Sequence, residues 1–185
     1  MKRFALLLAL VIGVGTLSFA QEDNKHNIEV GVGASGLTTH LVGGPGRNIG
    51  IGLHTEYRSD YSKYINFATK VYFMHSKCNS GASSIGPTKY FNSNQIGIKT
   101  GVDLNILPSK RVCPYVGLAV GGGVNTEGGL DRTHKTSDIY GTVGSRIGVQ
   151  IGPIRTSLES DLFFNGGHHF SLDGMFLALN VGYTF

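Results

Sequence analysis

The sequence predicts an all-β protein, an eight-stranded antiparallel up-and-down transmembrane β-barrel, and three observations carry that reading. A two-residue alternation of apolar with polar or small side chains recurs in eight segments, the period of a strand whose successive side chains point to opposite faces. The charged residues inside those segments all fall on the face opposite the apolar one. The joints between segments alternate long and short, as expected when hairpins return first on one side of a membrane and then on the other.

Ahead of the first segment the chain reads as an export signal. Lys2 and Arg3 precede an apolar run over residues 4–17, and Ser18-Phe19-Ala20 gives a small-x-small cleavage signature before Gln21. The run is shorter than the roughly 20 residues of a spanning helix. The expected division is therefore a signal peptide at 1–20 and one barrel domain at 21–185. With 28 glycines, 15% charged residues and no second apolar stretch of helical-span length, a helical membrane protein is excluded. The formal charge of +4 falls to about +2 once Lys2 and Arg3 leave, too little to argue for nucleic acid as a partner.

The segments follow in order. Residues 27–35 put Ile28, Val30, Val32 and Ala34 on one face, and residues 49–58 do the same with Ile49, Ile51, Leu53 and Tyr57. The third, 64–75, shows Ile65, Phe67, Val71 and Phe73, and the fourth, 94–106, shows Ile96, Ile98, Val102, Leu104 and Ile106. Residues 112–124 align Val112, Val116, Leu118, Val120 and Val124; residues 139–151 align Ile139, Val143, Ile147, Val149 and Ile151. The seventh, 154–164, carries Ile154, Leu158, Leu162 and Phe164. The last, 175–185, alternates Met175, Leu177, Leu179, Val181, Tyr183 and Phe185. Each is about the 9 to 11 residues that a tilted strand needs to cross hydrocarbon.

Ten charges share the opposite face: Glu29, Glu56, Arg58, Lys70, Lys99, Asp103, Arg146, Arg155, Glu159 and Asp161. Five acids balance five bases. With the apolar face toward lipid, these ten form an interior charge network, and a buried charge costs several kcal/mol unless it is paired. Inward glycines, among them Gly31, Gly33, Gly97, Gly101, Gly117, Gly144 and Gly148, leave room for the long side chains in so narrow a barrel. The expected interior is plugged rather than a wide pore.

Long joints at 36–48, 76–93, 125–138 and 165–174 face outside, and short ones at 59–63, 107–111 and 152–153 face the periplasm with both termini. Aromatic girdles are expected from Tyr57, Tyr61, Tyr64, Tyr183 and Phe185 at the periplasmic end, and from Phe73, Tyr90, Phe91 and Phe164 at the outer end.

Four local patterns are weighed against plain structure. Gly31, Gly33 and Gly36 have dinucleotide-loop spacing, but Gly43-Gly44-Pro45-Gly46 follows instead of the helix that would hold a pyrophosphate, so no cofactor is expected. His40, His75, His134, His168 and His169 cluster toward the outer end without the spacing of a metal site, so none is expected. Cys78 and Cys113 fall on opposite sides of a core about 25 Å tall and should not pair. His169-Phe170-Ser171 resembles the His-x-Ser of outer-membrane lipid A deacylases, but the acid that would orient the histidine has no counterpart on the following strand. No catalytic residue is assigned.

The closing strand ending on Phe185 resembles the C-terminal strand of bacterial outer-membrane barrels, and Pro114-Tyr115-Val116-Gly117-Leu118-Ala119-Val120-Gly121 looks like a Pro-Tyr-x-Gly-x-x-x-Gly strand common among them. The mature chain thus resembles the small outer-membrane β-barrel family of OmpX-like proteins and OmpA membrane domains. That resemblance implies a location in the Gram-negative outer membrane, contact with its lipid and lipopolysaccharide, and assembly by the insertion machinery through Leu179, Val181, Tyr183 and Phe185. It also implies a noncatalytic protein whose outer loops contact surface or host molecules, with specificity in the loops at 77–89 and 125–138. The alternatives are a lipid A-modifying enzyme and a narrow low-conductance channel.

Overall fold

The computed structural model describes residues 26–39, 46–79, 90–108, 111–129, 135–165 and 171–185. Eight strands follow one another: β1 (His26–Thr39), β2 (Gly46–Asp60), β3 (Ile65–Asn79), β4 (Tyr90–Asn105), β5 (Val112–Gly129), β6 (Lys135–Ile151), β7 (Ile154–Asn165) and β8 (Ser171–Thr184). Each pairs antiparallel with the next, and β8 returns to β1 with Val32 opposite Val181, closing the barrel. Closure removes the unpaired sheet edges that hydrocarbon could not satisfy. The seam continues past β8, where Phe185 N donates to Ile28 O at 2.8 Å.

The apolar face points outward. Ile49, Leu118 and Ile139 are each more than 70% exposed, while the side chains hidden inside are mostly polar or charged. A water-soluble sandwich would invert that arrangement; a barrel solvated by lipid requires it.

The end bearing His26 and Phe185 carries the short turns. At β6–β7 the connection is Gly152-Pro153, with Gly152 at φ 58, where a Cβ would be strained. Pro153 suits the following position because its ring holds φ near −65°. The opposite end carries the longer joints, but they are shorter than the alternation suggests. Residues 37–39, 46–48, 77–79, 90–93, 126–129, 135–138 and 171–174 are strand, not loop. Ladder hydrogen bonds continue there, whereas Ser76-Lys77-Cys78-Asn79 and Asn125-Thr126-Glu127-Gly128 no longer alternate an apolar face. The extra length also places exposed Lys77 on the outward face, past the zone where the charges keep to the interior.

Candidate functional site

The inward positions bring all ten predicted charges into one connected set. Nearer the turns, Arg146 of β6 grips Asp103 of β4 with two parallel bonds, Nε to Oδ1 at 2.6 Å and Nη2 to Oδ2 at 2.7 Å. Its Nη1 donates to Glu56 of β2. Asp103 is completely buried and also accepts from Arg155 Nη2 of β7. Glu29 of β1 then joins Arg155, 3.7 Å from its Nε, to Arg58, 3.1 Å from its Nη2. The Arg155 guanidinium lies 3.4 Å from the Tyr115 ring centroid, and Tyr115 is fixed in turn by donating to Thr156 O at 3.2 Å. Planar guanidinium groups suit both the bidentate and the stacked contact.

Toward the loops a second layer forms around Glu159. Its two oxygens take Lys70 at 2.7 Å and Lys99 at 2.8 Å, and Lys99 also reaches Asp161 at 2.7 Å. Arg146 Nη1 stands 4.0 Å from Glu159 and links the layers. Small residues make the space: a Cβ on Gly117 would overlap Asp103 Oδ1, and one on Gly144 would overlap Asp161 Oδ1. The gaps left between these side chains measure only about 10 and 20 Å³.

Two inward features lie outside the predicted set. His54 is buried with Nε2 3.1 Å from Glu29 Oε1; it shares a face with Glu56 and Arg58, so strand parity alone places it inside. On the loop side of the second layer, Tyr72, Met74, Tyr140, Phe163 and Phe176 pack into a buried cluster, with the Tyr72 and Tyr140 hydroxyls 2.8 Å apart and Phe163 edge-on to Phe176. Their apolar character sits beside apolar outward neighbours, which hides the alternation locally.

The loop end is uneven. The β5–β6 ladder runs out to Gly128 opposite Lys135, and β4 reaches Phe91 opposite Gly129. The β6–β7 ladder stops at Tyr140 opposite Asn165. Among the described residues, 135–139 of β6 therefore have no strand on their β7 side. Among the described residues, β5 and β6 run on together past the last β6–β7 pair, for a stretch of β6 about 16 Å long measured along the strand at the usual rise per residue.

The remaining sequence features separate. Gly31, Gly33 and Gly36 lie in a continuous strand paired on both sides. The backbone of Cys78 is near the loop end of β3, opposite Phe91, and Cys113 sits at the turn end of β5. His40, His134, His168, His169 and Phe170 fall outside the described residues, as do the side chains of Cys78, Tyr90, Phe91 and Ser171. Tyr57, Tyr61, Tyr64, Tyr183 and Phe185 all project outward at the turn end, with His26 stacked on Tyr57 at 5.7 Å. Leu179 and Val181 face outward with them.

No protein-family model matches the chain, and no curated protein matches it in sequence. Solved structures do. Ail, the attachment invasion locus protein of Yersinia pestis, is similar with a TM-score of 0.52 at 13% identity, over 86% of this chain and 97% of Ail. Neisserial surface protein A is similar with a TM-score of 0.53 at 14% identity, over 89% of this chain and 98% of its own. Ail has also been solved in complex with the heparin analogue sucrose octasulfate, and that structure superposes with a TM-score of 0.51 at 14% identity, over 86% and 97% of the two chains. At such identities the likeness is one of architecture, and it agrees with the closed ring of eight strands and its inverted polarity: the chain has the fold of the small eight-stranded outer-membrane β-barrels, the OmpX-like and OmpA membrane-domain-like proteins.

Proposed function

We propose that this chain is a noncatalytic integral protein of the Gram-negative outer membrane, exported behind a signal peptide, with its turns in the periplasm and the far ends of β5 and β6 outside. The charge network and its apolar layer fill the middle of the barrel, so a ligand outside the cell meets the protein at the loop end. The observation that supports this is the reach of β6: among the described residues, 135–139 extend past the last pair with β7 and have no ladder on that side, an edge suited to an incoming extended segment or a surface ligand. Ail's complex with a heparin analogue makes a sulfated glycan the first ligand class to test.

Because Asn125 pairs with Asp138, residues 126–137 can be replaced by a two-residue Asn-Gly turn without disturbing the ladder below. The expected result is a barrel that still folds and inserts but loses at least tenfold in affinity for immobilised heparin or extracellular-matrix protein. Equal binding by the shortened protein would place the ligand site elsewhere. Planar-bilayer recording should show no conductance steps; well-resolved steps would contradict a filled interior.

A further inference from the structure

The charged interior is asymmetric along the barrel axis: an apolar layer covers it on the loop side, whereas on the turn side it opens into a vestibule of about 540 Å³. That volume lies within the range of small-molecule sites. Arg58 forms the floor, with its guanidinium already held by Glu29, by Thr184 at 2.7 Å and by Gln150 at 3.4 Å. Lys63 and Arg111 stand on two different turns at the mouth. Among the described residues of the vestibule the one acid is Asp60, which accepts from Asn27 at 3.4 Å and offsets one of these two cations, leaving the other over. With its amide oriented to satisfy both ends, Asn66 also donates to Asp60 at 3.1 Å and accepts from Asn105 at 3.1 Å. Among the described residues Arg111 has no ion-pair partner, and Lys63 has only the face of Tyr64 at 5.0 Å.

Among the described residues the mouth therefore combines Lys63 and Arg111, set against the single carboxylate of Asp60, with a wall of carboxamides. Cations select a carboxylate, and carboxamides pair with the amides and hydroxyls of a sugar or a peptide. We propose that the turn-end vestibule binds a carboxylate-bearing glycan–peptide of the kind that forms the cell wall, tethering the barrel from its periplasmic side. This rests on the orientation taken above, while the binding itself can be measured without it.

Cys113 lines the vestibule and serves as the reporter. In a Cys78→Ser background, protein in nanodiscs is titrated with a soluble disaccharide–tetrapeptide cell-wall fragment, and maleimide labelling of Cys113 is followed in parallel. Saturable binding is expected, with labelling slowed at least fivefold at saturation. Lys63→Glu with Arg111→Glu, or a fragment whose carboxylates are capped as amides, should weaken binding at least tenfold. The disaccharide alone and the peptide alone, as separate arms, should each bind more weakly than the joined fragment. No saturable binding, or unchanged affinity in the double variant, overturns the proposal. Orientation is read separately in intact cells with an impermeant maleimide, which should reach Lys77→Cys, at an exposed position near the loop end, in protein lacking Cys78 and Cys113, and reach Cys113 in the Cys78→Ser protein only after the outer membrane is permeabilised. The reverse pattern would overturn the orientation and the cell-wall assignment while leaving the affinity result readable.

Discussion

Arg146 and Asp103 meet across the barrel from β6 and β4 through two parallel hydrogen bonds of 2.6 and 2.7 Å, and the carboxylate is wholly buried. Asp103 is also the counterion of Arg155, so a single side chain holds two guanidinium groups. Asp103→Ala leaves both without their shared partner. Removing one member of a buried pair costs about 3–5 kcal/mol. Urea titration of the refolded barrel should show a loss of that order, larger than the loss from removing an exposed charge such as Lys63.

The outward face makes a second expectation sharp. Leu118 is 71% exposed near the middle of β5. In a bilayer, Leu118→Arg should cost about 2–4 kcal/mol, the range for a basic residue at the midplane of a lipid-facing strand. In water the same change would be close to neutral. Equilibrium folding into lipid vesicles separates the two, and a negligible cost there would count against lipid contact at this face.

Overpacking tests the narrow interior. A Cβ on Gly148 would collide with Thr156 O and with the Tyr115 ring. The carbonyl belongs to a neighbouring strand and cannot turn aside, and the ring is held between its own hydrogen bond and Arg155. Gly148→Ala should therefore destabilise the barrel by about 1–3 kcal/mol, measured in the same titration. Gly152→Ala, where the surrounding space is open, should act instead through its positive φ and produce no clash inside.

Deleting Phe185 should slow assembly. The residue extends the β1–β8 seam by one hydrogen bond and packs edge-on against Tyr183 at 4.9 Å. Pulse-chase measurement of the heat-resistant folded form in outer-membrane fractions should show delayed appearance, and unaltered kinetics would remove the terminal aromatic from the assembly signal. Charge at the preceding outward position, Tyr183→Asp, should delay it as well.

Strand identity and facing were legible because the outward face carries one apolar side chain every second residue, as in Ile147, Val149 and Ile151. Strand length was not, since β5 continues past Val124 as Asn125-Thr126-Glu127, where water solvates both faces and the period carries no constraint. The charge partners were open for a different reason. Parity puts Glu56 and Arg146 inside, but which acid meets which base depends on register and stagger between strands distant in sequence, and Arg146 reaches Glu56 across 90 positions. His54 was missed because histidine was not counted among the charged residues, although its place between Gly52 and Glu56 fixes its direction. The apolar layer was hidden by composition: Phe163 follows Leu162, and Phe176 lies between Met175 and Leu177, so neither stands out as inward.

That layer also bears on the order of events during folding. Its rings come from β3, β6, β7 and β8, and Phe176 sits on the strand that joins β1 to close the ring. Until that last seam zips, water has access to Glu159, Lys99 and their neighbours from the loop side. With closure at that seam as the final event, the charges would lose their hydration late and together, and substitutions in the ion network should then alter the rate of closure more than the rate at which the early hairpins form.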